Sequence, residues 1–164
     1  GDDVPFVDIV RPIVSMVTDM ISSDHPIRFG IEGHGDVLPA GVATPLAVVL
    51  NELLQNAVDH AYPPEVDLTG EPGRVRVMIE RDGSSLTLHV SDDGVGLPPG
   101  FEIENTTGLG LSIVRALVTS DLAGEISIKP GDGVGNRPGT TVTLRVPIDE
   151  ERDDGLAVAR PKSR

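Results

Sequence analysis

Three polar side chains share one side of a predicted helix in the first half of the chain. The helix spans residues 42–61, and at 100° per residue Glu52, Asn56 and Asp59 face the same way, with Glu52 and Asn56 about 6 Å apart along the axis. Such residues usually form a solvated face. This helix, however, contains no Lys or Arg, and Asn is a poor helix former that here occupies the helix centre. The amide oxygen of Asn56 is a hard, neutral ligand suited to a cation that keeps several waters.

A second group of residues combines an aspartate with glycines at the end of an apolar strand. Asp92, Gly94 and Gly96 form the pattern Asp-x-Gly-x-Gly. On its own this pattern is most often a simple strand-ending turn. Its alternative interpretation is a ligand site, because glycine lets the backbone approach a bound molecule closely.

Glycines also open the predicted helix over residues 109–122. The run from Gly108 through Leu109, Gly110 and Leu111 begins this helix, and Thr107 precedes it. Free N–H groups at a helix start attract phosphate, and the threonine hydroxyl could add a donor. Gly139 and Thr140 precede the last alternating strand. Without the other motifs, Thr140 would simply be a strand residue.

The elements that must position these motifs follow from the hydrophobic pattern. Helical spacing predicts helices over residues 7–21, 44–61 and 109–122, with Pro12 in the first turn of the first and Thr44 as the N-cap of the second. Alternation predicts strands over residues 27–32, 74–81, 85–92, 125–129 and 140–146. Residues 33–41, 66–73 and 97–107 are predicted loops. Strands outnumber helices and most pair as hairpins, which predicts an α+β fold with helices on one face of a mixed, mostly antiparallel sheet.

Two segments lie outside this pattern. The connection from Pro130 to Gly139 contains Asp132-Gly133-Val134-Gly135, which looks like a phosphate loop, although no apolar helix follows it. A mobile hairpin tip is the ordinary alternative. Residues 149–164 form a charged tail that we expect to be disordered, so residues 1–148 form the predicted domain.

Taken together and in this order, the four motifs resemble the N, G1, G2 and G3 boxes of the Bergerat ATP-binding fold. That fold is a two-layer α/β sandwich shared by gyrase, Hsp90, histidine kinases and MutL. The resemblance covers roughly residues 42–147. The run from Ala43 to Ala61 and the run from Gly108 to Val114 are most similar to sensor histidine kinases, in particular to a subgroup related to the HWE kinases and to actinobacterial cytosolic kinases that signal to antiterminator response regulators.

The resemblance implies roles for individual residues. Asn56 matches the asparagine that binds the Mg²⁺ bridging the ATP phosphates, and Glu52 matches the acid that polarises water in the ATPase branches. Asp92 matches the aspartate that accepts a hydrogen bond from the adenine amine, while Gly94 and Gly96 admit the base. The glycine-rich helix start and Thr107 match phosphate-binding positions, and Thr140 matches a threonine that hydrogen-bonds near adenine.

The chain departs from the kinase pattern at two positions of the first motif. His60 falls where many histidine kinases have a Tyr beside the adenine, although a lone His is more often structural than functional. Asp59 stands where a Lys or Arg is common, so the site carries less positive charge than the family pattern. The segment before the helix over residues 109–122 is short and has Phe101 alone instead of a phenylalanine pair.

The amino-acid composition limits which classes of ligand and partner this chain can bind. The net charge of −13 argues against nucleic acid and against an anionic membrane surface, because both need clusters of Lys and Arg. No apolar run approaches the roughly 18 residues that a spanning helix needs. The absence of cysteine excludes disulfides and thiolate metal sites and fits a cytoplasmic protein. Any negative ligand must therefore be held by a metal, a helix end or backbone N–H groups.

The function implied by the resemblance is that of the catalytic domain of a protein-histidine kinase. It would bind MgATP and donate the γ-phosphoryl group to a histidine of a dimerisation domain, from which the phosphate passes to a response regulator. The chain begins without Met, and we expect it to be a monomeric piece of a longer, homodimeric protein. None of His25, His34, His60 and His89 lies in the family's acceptor pattern, so little autophosphorylation is expected from this chain alone.

Two other functions remain open at this point. An anti-sigma-type serine kinase has a similar compact Bergerat domain and differs in the acid stability of the phosphate that it transfers. A nucleotide-gated binding module without catalysis is compatible with Asp59 and with the short segment before the helix over residues 109–122. A gyrase-like or MutL-like hydrolase is disfavoured because that segment is short and no transducer domain follows.

Overall fold

A computed structural model describes residues 3–102 and 109–148 of this chain. Seven strands form two sheets: β1 (Asp3–Pro5), β2 (Ile27–Glu32), β3 (Val37–Pro39), β4 (Gly73–Asp82), β5 (Ser85–Asp92), β6 (Glu125–Pro130) and β7 (Thr140–Pro147). Three helices accompany them: α1 (Val7–Asp19), α2 (Ala40–Asn56) and α3 (Leu109–Ala116). Both α2 and α3 continue into π-helical segments, Ala57–Ala61 and Leu117–Asp121.

The main sheet has the strand order β2-β4-β5-β7-β6. Only the β2–β4 pair is parallel, because α2 lies between these strands in sequence, whereas β4–β5, β5–β7 and β6–β7 are antiparallel. The helices cover one face, as predicted. The sheet thus forms one layer of an α+β sandwich and the helices form the other.

Alternating strand residues supply the sheet side of a single core. Val75, Val77 and Ile79 of β4 point inward, as do Leu86 and Leu88 of β5. Leu46, Leu50 and Leu54 of α2 are fully buried against them, and this helix packs between α1 and α3. Burial of this aliphatic surface holds α2 in place, with the face that carries Glu52 and Asn56 directed toward α3.

The start of α2 differs from its prediction. The helix begins at Ala40 instead of Thr44, so Pro45 lies inside the helix and Thr44 is exposed and caps nothing. Val42 and Ala43 are buried in the helical conformation. Their burial outweighs the hydrogen bond that Pro45 cannot donate. Similarly, α1 ends at Asp19 and Pro12 lies in its second turn, not its first.

One pair of strands was missed entirely. The predicted loop over residues 33–41 contains β3, which pairs antiparallel with β1, joining Val4 to Leu38. Three-residue strands carry too little alternation to be recognised in sequence. Pairing brings the fully buried Leu38 into the core directly before α2.

Candidate functional site

A cavity of about 740 Å³ lies where the predicted motifs meet. Its walls come from α2 and the π-helical segment after it, the turn that follows β5, the start of α3, and strands β6 and β7. Seven of the predicted site residues line it: Asn56, His60, Asp92, Gly96, Gly110, Leu111 and Thr140. Residues distant in sequence therefore meet around one space large enough for a nucleotide-sized ligand.

Asp92 occupies the end of β5, beside Thr140 of β7 in the sheet register. Its Oδ1 accepts a hydrogen bond of 2.9 Å from the Gly94 N–H. Burial raises the pKa of Asp92 to about 6, and the negative charge of Asp93 adds to this effect, while the N–H groups of Gly94 and Thr140 oppose it. The cavity thus contains a largely buried hydrogen-bond acceptor whose ionisation falls just below neutral pH.

Asn56 and Glu52 meet the start of α3. A Cβ atom placed on Gly110 would lie 2.8 Å from Glu52 Oε1 and 3.5 Å from Asn56 Oδ1, so the two elements approach as closely as a glycine allows. Within the described residues, Nδ2 of Asn56 is buried and has no hydrogen-bond partner. An unpaired N–H donor at a cavity wall is a position where a ligand or a water molecule can complete the hydrogen bonding.

Gly94 makes a packing contact beside the cavity, and its predicted role at the base stays a prediction. It is not among the residues that line the cavity, and a Cβ at this position would overlap the carbonyl oxygen of Ala61. The same carbonyl accepts a hydrogen bond of 2.9 Å from the Val95 N–H. Gly94 therefore lets the turn pack against the end of the π-helical segment. Gly96, in contrast, does line the cavity.

The other predicted site residues lie beside the cavity or outside the described structure. Glu52 is half-buried next to Gly110 but does not line the cavity, and Asp59 is exposed on the π-helical segment and is not among the lining residues. Leu109 is the first residue of α3. Thr107 and Gly108 lie outside the described residues, so their predicted phosphate contacts remain predictions.

Most of the cavity wall is apolar and was not predicted. The apolar lining residues beyond Leu111 are Leu53, Ala57, Ala61, Val90, Val95, Leu97, Pro98, Phe101, Ile128 and Val142. Part of this set was recognisable, because Val142 follows Thr140 by two residues and so shares its face of β7. Ile128 lies directly opposite Val142 on β6, but this pairing was not available from the sequence.

The electrostatics of the cavity depend on few groups. Its described lining residues include no Lys or Arg. Across residues 3–102 and 109–148, no group of three or more His, Asp and Glu side chains is arranged to hold a metal ion.

No helix within the described ranges is both long and apolar enough to cross a membrane.

Comparison with known proteins identifies relatives of this arrangement. The family model described as "Histidine kinase-, DNA gyrase B-, and HSP90-like ATPase" matches residues 41–150. The sensor histidine kinase PdtaS of Mycolicibacterium smegmatis is 42% identical over 149 residues, which cover 90% of this chain and 28% of that protein. PdtaS of Mycobacterium tuberculosis is 38% identical over 141 residues, covering 86% of this chain and 26% of that protein. The chain thus spans about a quarter of the length of these relatives.

A solved structure shares the fold. The histidine kinase domain of the blue-light-activated kinase EL346 from Erythrobacter litoralis superimposes with a TM-score of 0.75 at 23% identity, covering 96% of this chain and 66% of that domain. The predicted fold class and the predicted resemblance to actinobacterial sensor kinases are confirmed, and the relatives favour neither the serine kinase nor the binding module. The chain belongs to the family of histidine kinase-, DNA gyrase B- and HSP90-like ATPases, in the form found in sensor histidine kinases.

Proposed function

We propose that this chain binds MgATP in the 740 Å³ cavity and serves as the phosphoryl-donating domain of a sensor histidine kinase. The observation that carries the proposal is the convergence of Asn56, Asp92, Gly110 and Thr140, from four separate segments, on this one cavity. Each segment matches one box of the ATP-binding fold. An arrangement that merely stabilised the domain would not need an open cavity lined by a half-buried carboxylate and by an amide nitrogen that has no partner among the described residues.

The adenine end of the site is assigned to Asp92 and the apolar walls. The ionised carboxylate accepts a hydrogen bond from the adenine amine, while Thr140 lies beside it in the sheet register. Apolar side chains such as Val90 and Val142 enclose the base. His60 lines the same cavity and is assigned to the edge of the adenine pocket.

The phosphate end is assigned to the meeting point of α2 and α3. The free N–H groups at the start of α3 attract a negatively charged ligand. The start of that helix lies against Glu52 and Asn56. The Asn56 Oδ1 fits a role in Mg²⁺ binding, since it is a neutral oxygen ligand. The Asn56 Nδ2, which has no partner among the described residues, is free to donate to a phosphate oxygen. Bound Mg²⁺ would supply charge neutralisation for the phosphates.

The reaction transfers the γ-phosphoryl group to a histidine nitrogen of a dimerisation domain. The bond between the γ-phosphorus and the bridging oxygen breaks, a phosphorus–nitrogen bond forms, and ADP leaves. The chain contributes mainly positioning and exclusion of water. The phosphate then passes to a response regulator. We place this function in the cytoplasm, where ATP is available, with this chain monomeric and its parent protein homodimeric.

The proposal is tested first by calorimetric titration of the chain with ATP and ADP, with and without Mg²⁺. Clear binding that Mg²⁺ strengthens is expected for the natural sequence, and Asn56→Ala is expected to abolish the Mg²⁺ effect while adenosine still binds. The neighbouring substitution Gln55→Ala, on the same helix but outside the cavity lining, is the matched control. No binding of either nucleotide would refute the proposal.

A second experiment identifies the acceptor. The chain is combined with the dimerisation domain of its parent protein and radiolabelled ATP. Acid-labile, base-stable label is expected, as phosphohistidine requires. Acid-stable label would instead indicate transfer to a hydroxyl group and would favour a serine kinase.

A further inference from the structure

The connection between β6 and β7 is held in place by hydrogen bonds to the rest of the domain. Its sequence, Pro130 to Gly139, left a phosphate loop and a mobile hairpin tip as alternatives. None of residues 132–135 is among those that line the cavity. Instead, the Gly139 N–H donates a hydrogen bond of 2.9 Å to the Gly94 carbonyl oxygen, and a Cβ on Gly139 would overlap the carbonyl oxygen of Asp92. The connection is thus packed against the turn that follows β5.

Arg137 makes most of this attachment. Its Nε–H donates to the Asp93 carbonyl oxygen at 2.9 Å, and one terminal nitrogen donates to Asp93 Oδ2 at 3.0 Å and to the Pro72 carbonyl oxygen at 3.3 Å. The other terminal nitrogen donates to the Glu71 carbonyl oxygen at 2.9 Å. The side chain is only 15% exposed. Four acceptors on two segments satisfy a guanidinium, which is far more than an ordinary surface ion pair provides.

Asp93 also bonds to the residue that follows the π-helical segment and to β4. Its Oδ1 accepts hydrogen bonds from the Tyr62 hydroxyl at 2.5 Å and from the Arg74 N–H at 2.8 Å. Burial by itself would raise the pKa of Asp93, but the hydrogen bonds from Tyr62, Arg74 and Arg137 outweigh it and hold that pKa below its usual value. Tyr62 directly follows the π-helical segment that bears His60, and its ring lies 6.0 Å from the Arg137 guanidinium carbon.

The two adjacent aspartates therefore have opposite surroundings. Asp92 lines the cavity, whereas Asp93 is bound by Arg137 and Tyr62 behind the turn. Successive residues at the end of a strand point to opposite sides, so an anchored Asp93 dictates where Asp92 points. Arg137 also partly compensates the Asp93 charge, whose remaining effect adds to the raised pKa of Asp92.

We propose that Arg137 is a positioning residue of the nucleotide site, which clamps the Asp92–Gly96 turn between Tyr62 and the β6–β7 connection so that Asp92 meets the adenine amine. The inference rests on the proposed ATP binding and deepens it, because it assigns adenine selectivity partly to a residue that does not line the cavity. Arg137 acts through Asp93 and does not touch the nucleotide.

The test compares Arg137→Ala with the control Arg145→Ala. Arg145 lies on β7, and its ion pair with Asp82, at 3.5 Å, is exposed. ATP and GTP affinities are measured by calorimetry well below the melting temperature. We expect Arg137→Ala to weaken ATP binding by about tenfold and GTP binding much less, since a charge-assisted buried contact is lost from the adenine-reading turn. Arg145→Ala should change neither affinity nor their ratio.

Two further variants distinguish a loss of positioning from a loss of folding. Arg137→Lys keeps the charge, but one ammonium group cannot reach all four acceptors, so a partial loss of ATP preference is expected with a melting temperature near that of the natural chain. Asp93→Asn removes the ion pair from the other side and should also reduce the ATP preference. Unchanged ATP affinity and preference in the folded variants would overturn the inference and leave Arg137 a purely structural role. Absence of ATP binding by the natural chain would instead mark failure of the proposed function.

Discussion

Asp92 is half-buried and offers a hydrogen-bond acceptor to the cavity, which is the basis on which the proposed site would select adenine. A carboxylate opposite the adenine amine makes a hydrogen bond, whereas the same carboxylate opposite the guanine carbonyl leaves two acceptors facing each other. Because Asp92 is held by the Gly94 N–H at 2.9 Å, it cannot easily turn away from the wrong base.

Asp92→Asn is therefore expected to weaken ATP binding by about 10- to 100-fold and to narrow the difference between ATP and GTP, because an amide can donate as well as accept. Competition calorimetry with both nucleotides measures this change. Asp82→Asn, at the opposite end of the β4–β5 hairpin, is the control and should bind as the natural chain does. Equal affinity for ATP and GTP in the natural chain would contradict the assignment of Asp92.

The raised pKa of Asp92 predicts a pH dependence of ATP binding. With a pKa of about 6, the carboxyl is ionised at pH 7.5 and mostly protonated at pH 5. The protonated group no longer offers an ionised acceptor, so ATP affinity should fall as the pH drops through 6. Affinities measured between pH 5 and pH 8 for the natural chain and for Asp92→Asn separate this effect from titration of the phosphates, which both proteins experience alike. Parallel profiles would refute it.

At the scale of elements, the site depends on the contact between the turn after β5 and the end of the π-helical segment. This contact has no room for a side chain at Gly94, where a Cβ would overlap the Ala61 carbonyl oxygen. The same carbonyl accepts the Val95 N–H, so any shift also breaks a hydrogen bond. The turn therefore couples the packing of the domain to the shape of its cavity.

Gly94→Ala is expected to lower the free energy of unfolding by about 2 kcal/mol through overpacking and to weaken ATP binding as well. The melting temperature should fall by several degrees, which differential scanning calorimetry detects. Gly70→Ala provides the control, because no atom lies within 4 Å of the position where its Cβ would stand. A Gly94→Ala chain with unchanged stability would mean that the turn can move without cost.

Element boundaries depended on burial that no local signal reveals. Thr44 and Pro45 form a good local helix start, yet α2 begins at Ala40 because Val42 and Ala43 are buried. In contrast, β5 (Ser85–Asp92) coincides with its prediction, since its alternation and its hairpin turn agree with its burial. Local signals were accurate where tertiary packing demanded the same conformation.

For the whole molecule, the net charge of −13 means that ATP binds against an unfavourable overall field. The described lining of the cavity offers no Lys or Arg to offset it. Nucleotide binding should therefore depend on Mg²⁺ and on the N–H groups of α3 more strongly than in a basic domain.

The distribution of histidines predicts that the isolated chain does not phosphorylate itself. His25 is engaged with the Tyr62 carbonyl oxygen at 3.0 Å, and His89 lies within β5, bonded to Thr143 Oγ1 at 2.9 Å. His34 is exposed in a loop beside Asp36. Incubation with radiolabelled ATP should leave the chain unlabelled, and a casein or serine-peptide substrate should remain unlabelled too. Acid-labile, base-stable label on the isolated chain would show that one of its own histidines is an acceptor.

The fold class, the family and the polar residues that line the cavity could all be predicted from the amino-acid sequence. These features rest on local patterns: alternation for strands, helical spacing for α2, and short motifs such as Asp92-x-Gly94-x-Gly96 whose chemistry is written in a few consecutive residues. Each could be recognised without knowing what lies opposite in space.

The contacts that support the site from outside the cavity become apparent only in the folded domain. Gly94 packs on Ala61, 33 positions away in sequence, and Arg137 bonds to Asp93, 44 positions away. The burial of the Asn56 amide nitrogen likewise depends on how the separate helices pack. Such contacts arise from the register of the sheet and from burial of the common core. No local pattern encodes them, because their energy exists only once the separate segments have been brought together.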